Sequence, residues 1–190
     1  MAKNMILHDT RLLGKAPTHL ADNIFKVNKE NNISHIFEWI ATYARSQNGL
    51  DNLFIMCHGG AKPAGIESDK AAQSIPSSDE RGLAIGKENL LLSNLNVTRA
   101  LYGLVKKITI YACNIAQQDK GAKYTANDGE LFCSYLAAYT NAEVIASPMT
   151  QKYNRIGIFA PLTESAGTID FGAWEGPVFS FTPDGKKKNL

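Results

Sequence analysis

The chain reads as an α/β protein with a mostly parallel central sheet flanked by helices on both faces, and three observations predict it. Two runs, 53–57 (LFIMC) and 108–112 (ITIYA), are apolar almost throughout. That is the mark of a strand covered on both faces, as in a parallel sheet, rather than of one with a wet side. Strand-like and helix-like segments also alternate along the chain, and right-handed crossovers fold such an alternation into a parallel sheet. Finally, 190 residues at 44% hydrophobic are enough for one domain with a two-sided core.

Each element follows from its residues. Met5 to His8 is a first apolar run, whose end meets the same rim as the later strand ends if the sheet is parallel. From Asp9 to about Asn31 the chain is polar and punctuated by Gly and Pro, and no element is expected there. Ser34 is a good N-cap for a helix in which Ile36, Phe37, Trp39, Ile40 and Tyr43 recur at helical spacing up to Asn48-Gly49. The strand 53–57 is then closed by Gly59 and Gly60. Residues 61–81, rich in Ala, Ser, Pro, Lys and Asp, predict a long surface loop that borders any groove beside His58.

LAIGKENLLL reads as an inserted β-hairpin with Gly86-Lys87-Glu88-Asn89 at its turn. Ser93-Asn94 then caps a helix through Val97, Leu101 and Leu104, closed by Lys106-Lys107. After the strand 108–112 comes a polar loop to Asn127 holding Gln117, Gln118, Lys120 and Lys123. Asp128 caps a helix through Leu131, Phe132, Tyr135, Leu136 and Tyr139, ended by Thr140-Asn141, and 143–147 is the next strand. Residues 153–161 and 168–182 hold short strand-like pieces broken by Gly and Pro. Residues 1–185 are thus expected to form one domain and 186–190, with Lys186, Lys187 and Lys188, a disordered basic tail.

Composition excludes several function classes. A net charge of +2 is too mild to argue for a nucleic-acid partner. Three unclustered cysteines, Cys57, Cys113 and Cys133, argue against a disulfide framework and for a reducing compartment. The start MAKNMILHDT has no apolar stretch of signal-peptide length, and nothing approaches the ~18 apolar residues of a membrane span. The expectation is a cytoplasmic protein, or one exported without a cleaved signal, with no membrane partner. His8, His19, His35 and His58 are scattered and no cysteine pair has CxxC spacing, so neither a metal nor a cofactor is expected.

The chemistry concentrates at the ends of the two apolar runs, which stop on His58-Gly59 and on Cys113. In an open α/β sheet the functional crevice lies beyond the carboxyl ends of the strands. The gap of 55 residues (113 minus 58) holds one crossover, so the two side chains can converge. A thiol with a pKa of about 8.5 is mostly protonated at neutral pH, and an imidazole that removes its proton makes it a nucleophile. Gly59, without a Cβ, lets a backbone N–H approach a developing oxyanion, with the Cys113 N–H as the second donor. By the same alternation, Cys57 points to the opposite face and joins the core, as does Cys133 on its helix; Trp174 is expected to be a packing anchor.

An apolar strand into His-Gly, followed about fifty residues later by an apolar strand into Ala-Cys, resembles the caspase-like cysteine peptidases. The likeness covers roughly residues 53–147 in motif and order of elements. It implies a caspase-like fold and a cysteine endopeptidase in which His58 is the base, Cys113 the nucleophile, and the Gly59 backbone part of the oxyanion hole. It also implies a peptide or protein substrate. Tyr111-Ala112-Cys113-Asn114-Ile115 departs from the Gln before and the Arg-Gly after the Cys of caspases. The resemblance is therefore nearer to the bacterial caspase-like, CHAT and toxin-processing peptidase domains than to true caspases. Pocket residues in that group come from the end of the first strand and from the strand after the Cys, which here points to Asp9 and Arg11 and to Ser147, Pro148 and Met149. The loops 61–81 and 114–127 are the candidates for self-cleavage.

Other cysteine chemistries fit less well. A phosphatase needs an Arg six residues after the Cys, where Asp119 stands and would repel a phosphate. An amidotransferase elbow needs small flanking residues and a later His, but Tyr111 and Ile115 flank Cys113 and no His follows it. Two alternatives keep the fold: a catalytically silent binding or scaffold module, and a toxin-like processing domain switched on by a polyanion, to which Lys106, Lys107 and the basic tail point.

Overall fold

A computed structural model describes residues 3–59, 80–156 and 167–190. One seven-stranded sheet organises them, built from β1 (Asn4–Asp9), β2 (Asn23–Val27), β3 (Leu50–Met56), β6 (Val105–Tyr111), β7 (Glu143–Ala146), β10 (Phe179–Phe181) and β11 (Lys187–Asn189). The order across it is β11-β10-β7-β6-β3-β1-β2. The five strands from β2 to β7 are parallel, and β10 and β11 continue it in antiparallel pairs. Two small ribbons lie outside it: β4 (Gly82–Leu83) with β5 (Leu90–Leu91), and β8 (Asn154–Ile156) with β9 (Thr168–Asp170).

The helices are α1 (Ile33–Ser46) and α2 (Gly129–Thr140), with a 3-10 helix at Leu92–Leu101. Helix α1 is capped by Asn32, two residues before the Ser34 expected from sequence; the Asn32 side chain accepts from the N–H groups of Ser34 and His35. Asp128 caps α2 by accepting from the Leu131 N–H, and Asn141 ends it in the left-handed conformation.

Among the described residues, and unlike the sequence expectation, the helices do not flank the sheet on both faces. Among the described residues α1, α2 and the 3-10 helix all pack on one face, against Met5, Leu7, Leu53, Ile55, Ile108, Ile110 and Val144. The direction of the chain explains this. The steps β2→β3, β3→β6 and β6→β7 all move the same way across the sheet, so crossovers of one hand land on one face. Only β1→β2 steps back, and its connection supplies Leu12, Ala16 and Leu20 to the opposite face. There a second cluster forms with Ile6, Met56, Ile169 and Phe171.

Three further expectations are corrected. The polar stretch after Asp9 contains β2, an edge strand whose Asn23 and Lys26 hide it from a hydropathy reading. Lys106 and Lys107 lie within β6, where they pair with Asp51 and Glu143 at the exposed end, instead of closing a helix. The basic tail is an edge strand, with Phe179 facing Asn189 and Phe181 facing Lys187. The hairpin forms as expected, whereas the loop after His58 that is a sequence candidate for self-cleavage lies outside the described residues as far as residue 79.

Candidate active site

Strands β3 and β6 are neighbours, with Met56 opposite Tyr111, and this register carries His58 and Cys113 to the same rim. Cys57 and Ala112 point into the helix-side core. One residue further along, His58 and Cys113 therefore turn to the other face, as their partners show. The His58 Nε2 lies 3.1 Å from the Arg11 carbonyl oxygen. Because a carbonyl only accepts, Nε2 carries the proton in this contact. The Cys113 Sγ donates to the Gln151 carbonyl oxygen at 3.5 Å.

Gly59 abuts Cys113. A Cβ built there would lie 2.7 Å from the Ala112 Cβ, 2.8 Å from the Cys113 carbonyl oxygen and 3.2 Å from its nitrogen, so no side chain fits. The ladder between the strands ends here: Cys57 N–H still donates to Tyr111 O at 3.4 Å. Among the described residues, no acceptor meets the N–H of Gly59 or that of Cys113. Both residues are half-exposed, and two backbone donors beside a thiol are the equipment that binds an oxyanion.

The surroundings hold this geometry from both sides. On the His58 side, Ala84 N–H donates to His58 O at 2.8 Å, so the hairpin backs the imidazole. The hairpin is fixed in turn by Asp9 and Arg11. Arg11 forks onto Asp9 at 2.8 and 2.7 Å, and its guanidinium also reaches Asn89 Oδ1 and Gly86 O. Asp9 is fully buried and accepts from Gly86 N–H as well. Asp9 and Arg11 thus differ from the pocket neighbours expected from the resemblance: their side chains brace the hairpin, and it is the Arg11 backbone that reaches the site.

On the Cys113 side, Asn114 takes a φ of 55°, which turns the chain sharply after the nucleophile. The buried Arg81 holds that turn, donating to Asn114 O at 2.9 Å, Asn127 O at 3.2 Å and Asp119 Oδ2 at 2.7 Å. From the end of β7, Met149 O accepts from Asn114 N–H and Ser147 O from Ala116 N–H. Ser147 is buried and its hydroxyl donates to Glu175 O. Gln151, also buried, donates to Met149 O and Glu175 O and accepts from Glu175 N–H. Pro148 and Met149 line a cavity of about 760 Å³ with Gln117, Glu130, Lys152 and Glu175. A second cavity, of about 560 Å³, lies on the face to which the dyad turns, under Met56 and Tyr111.

Burial raises the Cys113 thiol above its ordinary pKa, the backbone of Gln151 opposing and the Glu175 charge adding to the rise. At neutral pH Cys113 is therefore a thiol. Burial pushes Cys57 and Cys133 up much further, consistent with inert core residues. His8 is buried with its pKa lowered by burial, while His19 and His35 are exposed. Trp174 stacks on Tyr111 with ring centroids 4.9 Å apart. Among the described residues no cluster of His, Cys, Asp or Glu has the makings of a metal site, and no helix is long and apolar enough to cross a membrane. Sequence reading missed the Arg11 carbonyl, Gln151 and Arg81. The first two act through backbone, which leaves no residue signature, and Arg81 stood as the last residue of an apparent loop.

The chain matches no protein-family model, no curated protein and no solved structure.

Proposed function

We propose that this protein is a cysteine peptidase of caspase-like architecture, in which Cys113 attacks a peptide carbonyl with His58 as general base. The observation that carries the reading is the contact of Gly59 with Cys113, which sets two unpartnered N–H groups beside the thiol. His58 Nδ1 takes the thiol proton as the Sγ–C bond forms, and the carbonyl oxygen becomes an oxyanion between the N–H groups of Gly59 and Cys113. Collapse expels the amine, which takes the proton from His58, and leaves a thioester. Water, deprotonated by His58, then releases the acid and restores the thiol. The hydrogen bond to Arg11 O steadies the imidazole while it is charged. The peptide is the only partner this chemistry requires, and neither a cofactor nor a metal enters the cycle.

The polyanion-switched reading draws less support. Lys106, Lys107, Lys186 and Lys187 each stand against a carboxylate, of Asp51, Glu143, Asp184 and Glu130 respectively. A peptidyl acyloxymethyl ketone tests the peptidase reading. It should label Cys113 in preference to Cys57 and Cys133, and His58→Ala should abolish that selectivity. Slow, equal labelling of all three cysteines would favour the scaffold reading instead.

A further inference from the structure

Side chains two residues apart on a strand share a face, about 7 Å apart along it. Met56 and Tyr111 therefore precede His58 and Cys113 on the same face of the sheet, and both line the cavity of about 560 Å³. Its other apolar walls are Pro17 and Leu20 from the β1–β2 connection and Ile169 and Phe171 from the end of β9. Met56 is fully buried, so the floor is closed. The wall nearest the nucleophile is rigid: the Tyr111 ring stacks on Phe171 at 4.6 Å and on Trp174 at 4.9 Å, with interplanar angles of 19° and 12°. An acyl group on the Cys113 Sγ, its oxygen held between the Gly59 and Cys113 N–H groups, has this recess within one side chain's reach.

We infer that this cavity is the primary specificity pocket, and that it takes a large apolar side chain (Phe, Leu or Met) from the residue whose carbonyl Cys113 attacks. The inference rests on the cysteine-peptidase reading and adds the substrate class to it. Among the described residues that line this pocket, the one carboxylate is Asp170, which is exposed and whose Oδ1 already accepts from Gly172 N–H at 2.9 Å, and there is no Lys or Arg. The competing recess is the cavity lined by Glu130, Glu175 and Lys152. Its wall at Phe179 packs against the helix-side core, away from the face that carries Tyr111. Glu130 is paired with Lys187 there, which leaves Glu175 as the carboxylate to attract a basic side chain.

The test uses the full chain against a fluorogenic peptide library varied at the residue before the scissile bond, together with Leu20→Trp. Leu20 is half-buried on a connection, so Trp there fills the recess while leaving the helix-side core and the dyad in place. The expected result is a kcat/KM for Phe, Leu and Met about 10- to 100-fold above that for Lys, Arg, Asp and Glu. Leu20→Trp should shift the optimum to Ala or Val with little change in the melting temperature. A preference for Lys or Arg would put the primary pocket at Glu175 and overturn the inference, as would a preference for acids or a profile that Leu20→Trp leaves unmoved. Cys113-dependent hydrolysis indifferent to the varied residue would overturn the pocket and spare the peptidase. If no peptide is cut and a non-selective acyl probe leaves Cys113 unlabelled, both readings fall.

Discussion

Replacing Gly59 with Ala inserts one methyl group at the point where the reasoning about the site is narrowest. The new carbon would meet the Ala112 Cβ at 2.7 Å and the Cys113 carbonyl oxygen at 2.8 Å. Both neighbours, a β-carbon and a backbone oxygen, cannot swing aside, so the two strand ends have to part. Overpacking of this kind costs about 1–3 kcal/mol. For a chain of this size that is a fall of about 2–12 °C in melting temperature. The chemical cost is larger, because parting the strand ends spoils both N–H groups, and losing one oxyanion donor alone lowers kcat about 100- to 1,000-fold. Two assays separate the effects well below the melting point. Peptide hydrolysis should fall by that factor, whereas alkylation of Cys113 by iodoacetamide, which forms no oxyanion, should change only a few-fold. If Gly59→Ala hydrolyses peptide at the wild-type rate, the backbone of residue 59 is no oxyanion donor and the mechanism is wrong.

Two further outcomes test the supports of the site. Arg81→Ala leaves the carbonyls of Asn114 and Asn127 without their donor, and is expected to cost about 3 kcal/mol in a urea melt and to slow acylation of Cys113. Arg81→Lys, without the planar fork, should recover only part of that, and a loss below about 0.5 kcal/mol in Arg81→Ala would refute the clamp. His8 donates from Nε2 to Leu12 O, and its Nδ1 is buried without a partner. Burial lowers its pKa below 6.5, so the unfolded chain takes up the proton first as pH falls. Stability is then full above about pH 6.5 and declines as pH drops toward the folded-state value, a decline that thermal melts should show and that His8→Gln should lessen.

How much of this was legible beforehand depended on whether a feature lives in side-chain types or in backbone. The strands β3 and β6 were plain because Leu53, Ile55, Ile108 and Ile110 sit on a doubly covered sheet, and α1 because its apolar residues recur at helical spacing. The placing of His58 and Cys113 at one rim followed from two strand ends and one crossover. Strand β2 was hidden because an edge strand with Asn23 and Lys26 has no clean alternation. The tail strand was hidden because lysines are what protected edges often carry, and Lys187 is held there by Glu130 and the face of Phe179, partners that only folding brings near. The N-cap slipped by two residues because Asn32 and Ser34 are both good caps, and Glu88 of the distant hairpin decides between them by accepting from Asn32 Nδ2 and the Ile33 N–H. Asp9 and Arg11 looked like pocket charges because nothing in sequence says that Gly86 and Asn89, more than seventy residues on, will bind them.

Among the described residues the helices lie on one face of the sheet, which bears on where specificity arises in the proposed peptidase. Had one crossover after β2 run backwards, a helix would cover the face to which His58 and Cys113 turn. Because among the described segments only the β1–β2 connection does so, that face is lined there by a loop from β1 and by the segment around β9. The N–H donors and the thiol are set by strand register, which a change in those loops leaves alone. On the proposed reading, chemistry and selectivity therefore sit on different parts of the chain, the first fixed by the sheet and the second by segments that can vary without unfolding it. Substitutions at Leu20 or Phe171 should accordingly alter which peptide is cut, measured as ratios of kcat/KM, while iodoacetamide alkylation of Cys113 stays near the wild-type rate. Equal losses for every peptide would show instead that these segments hold the dyad itself.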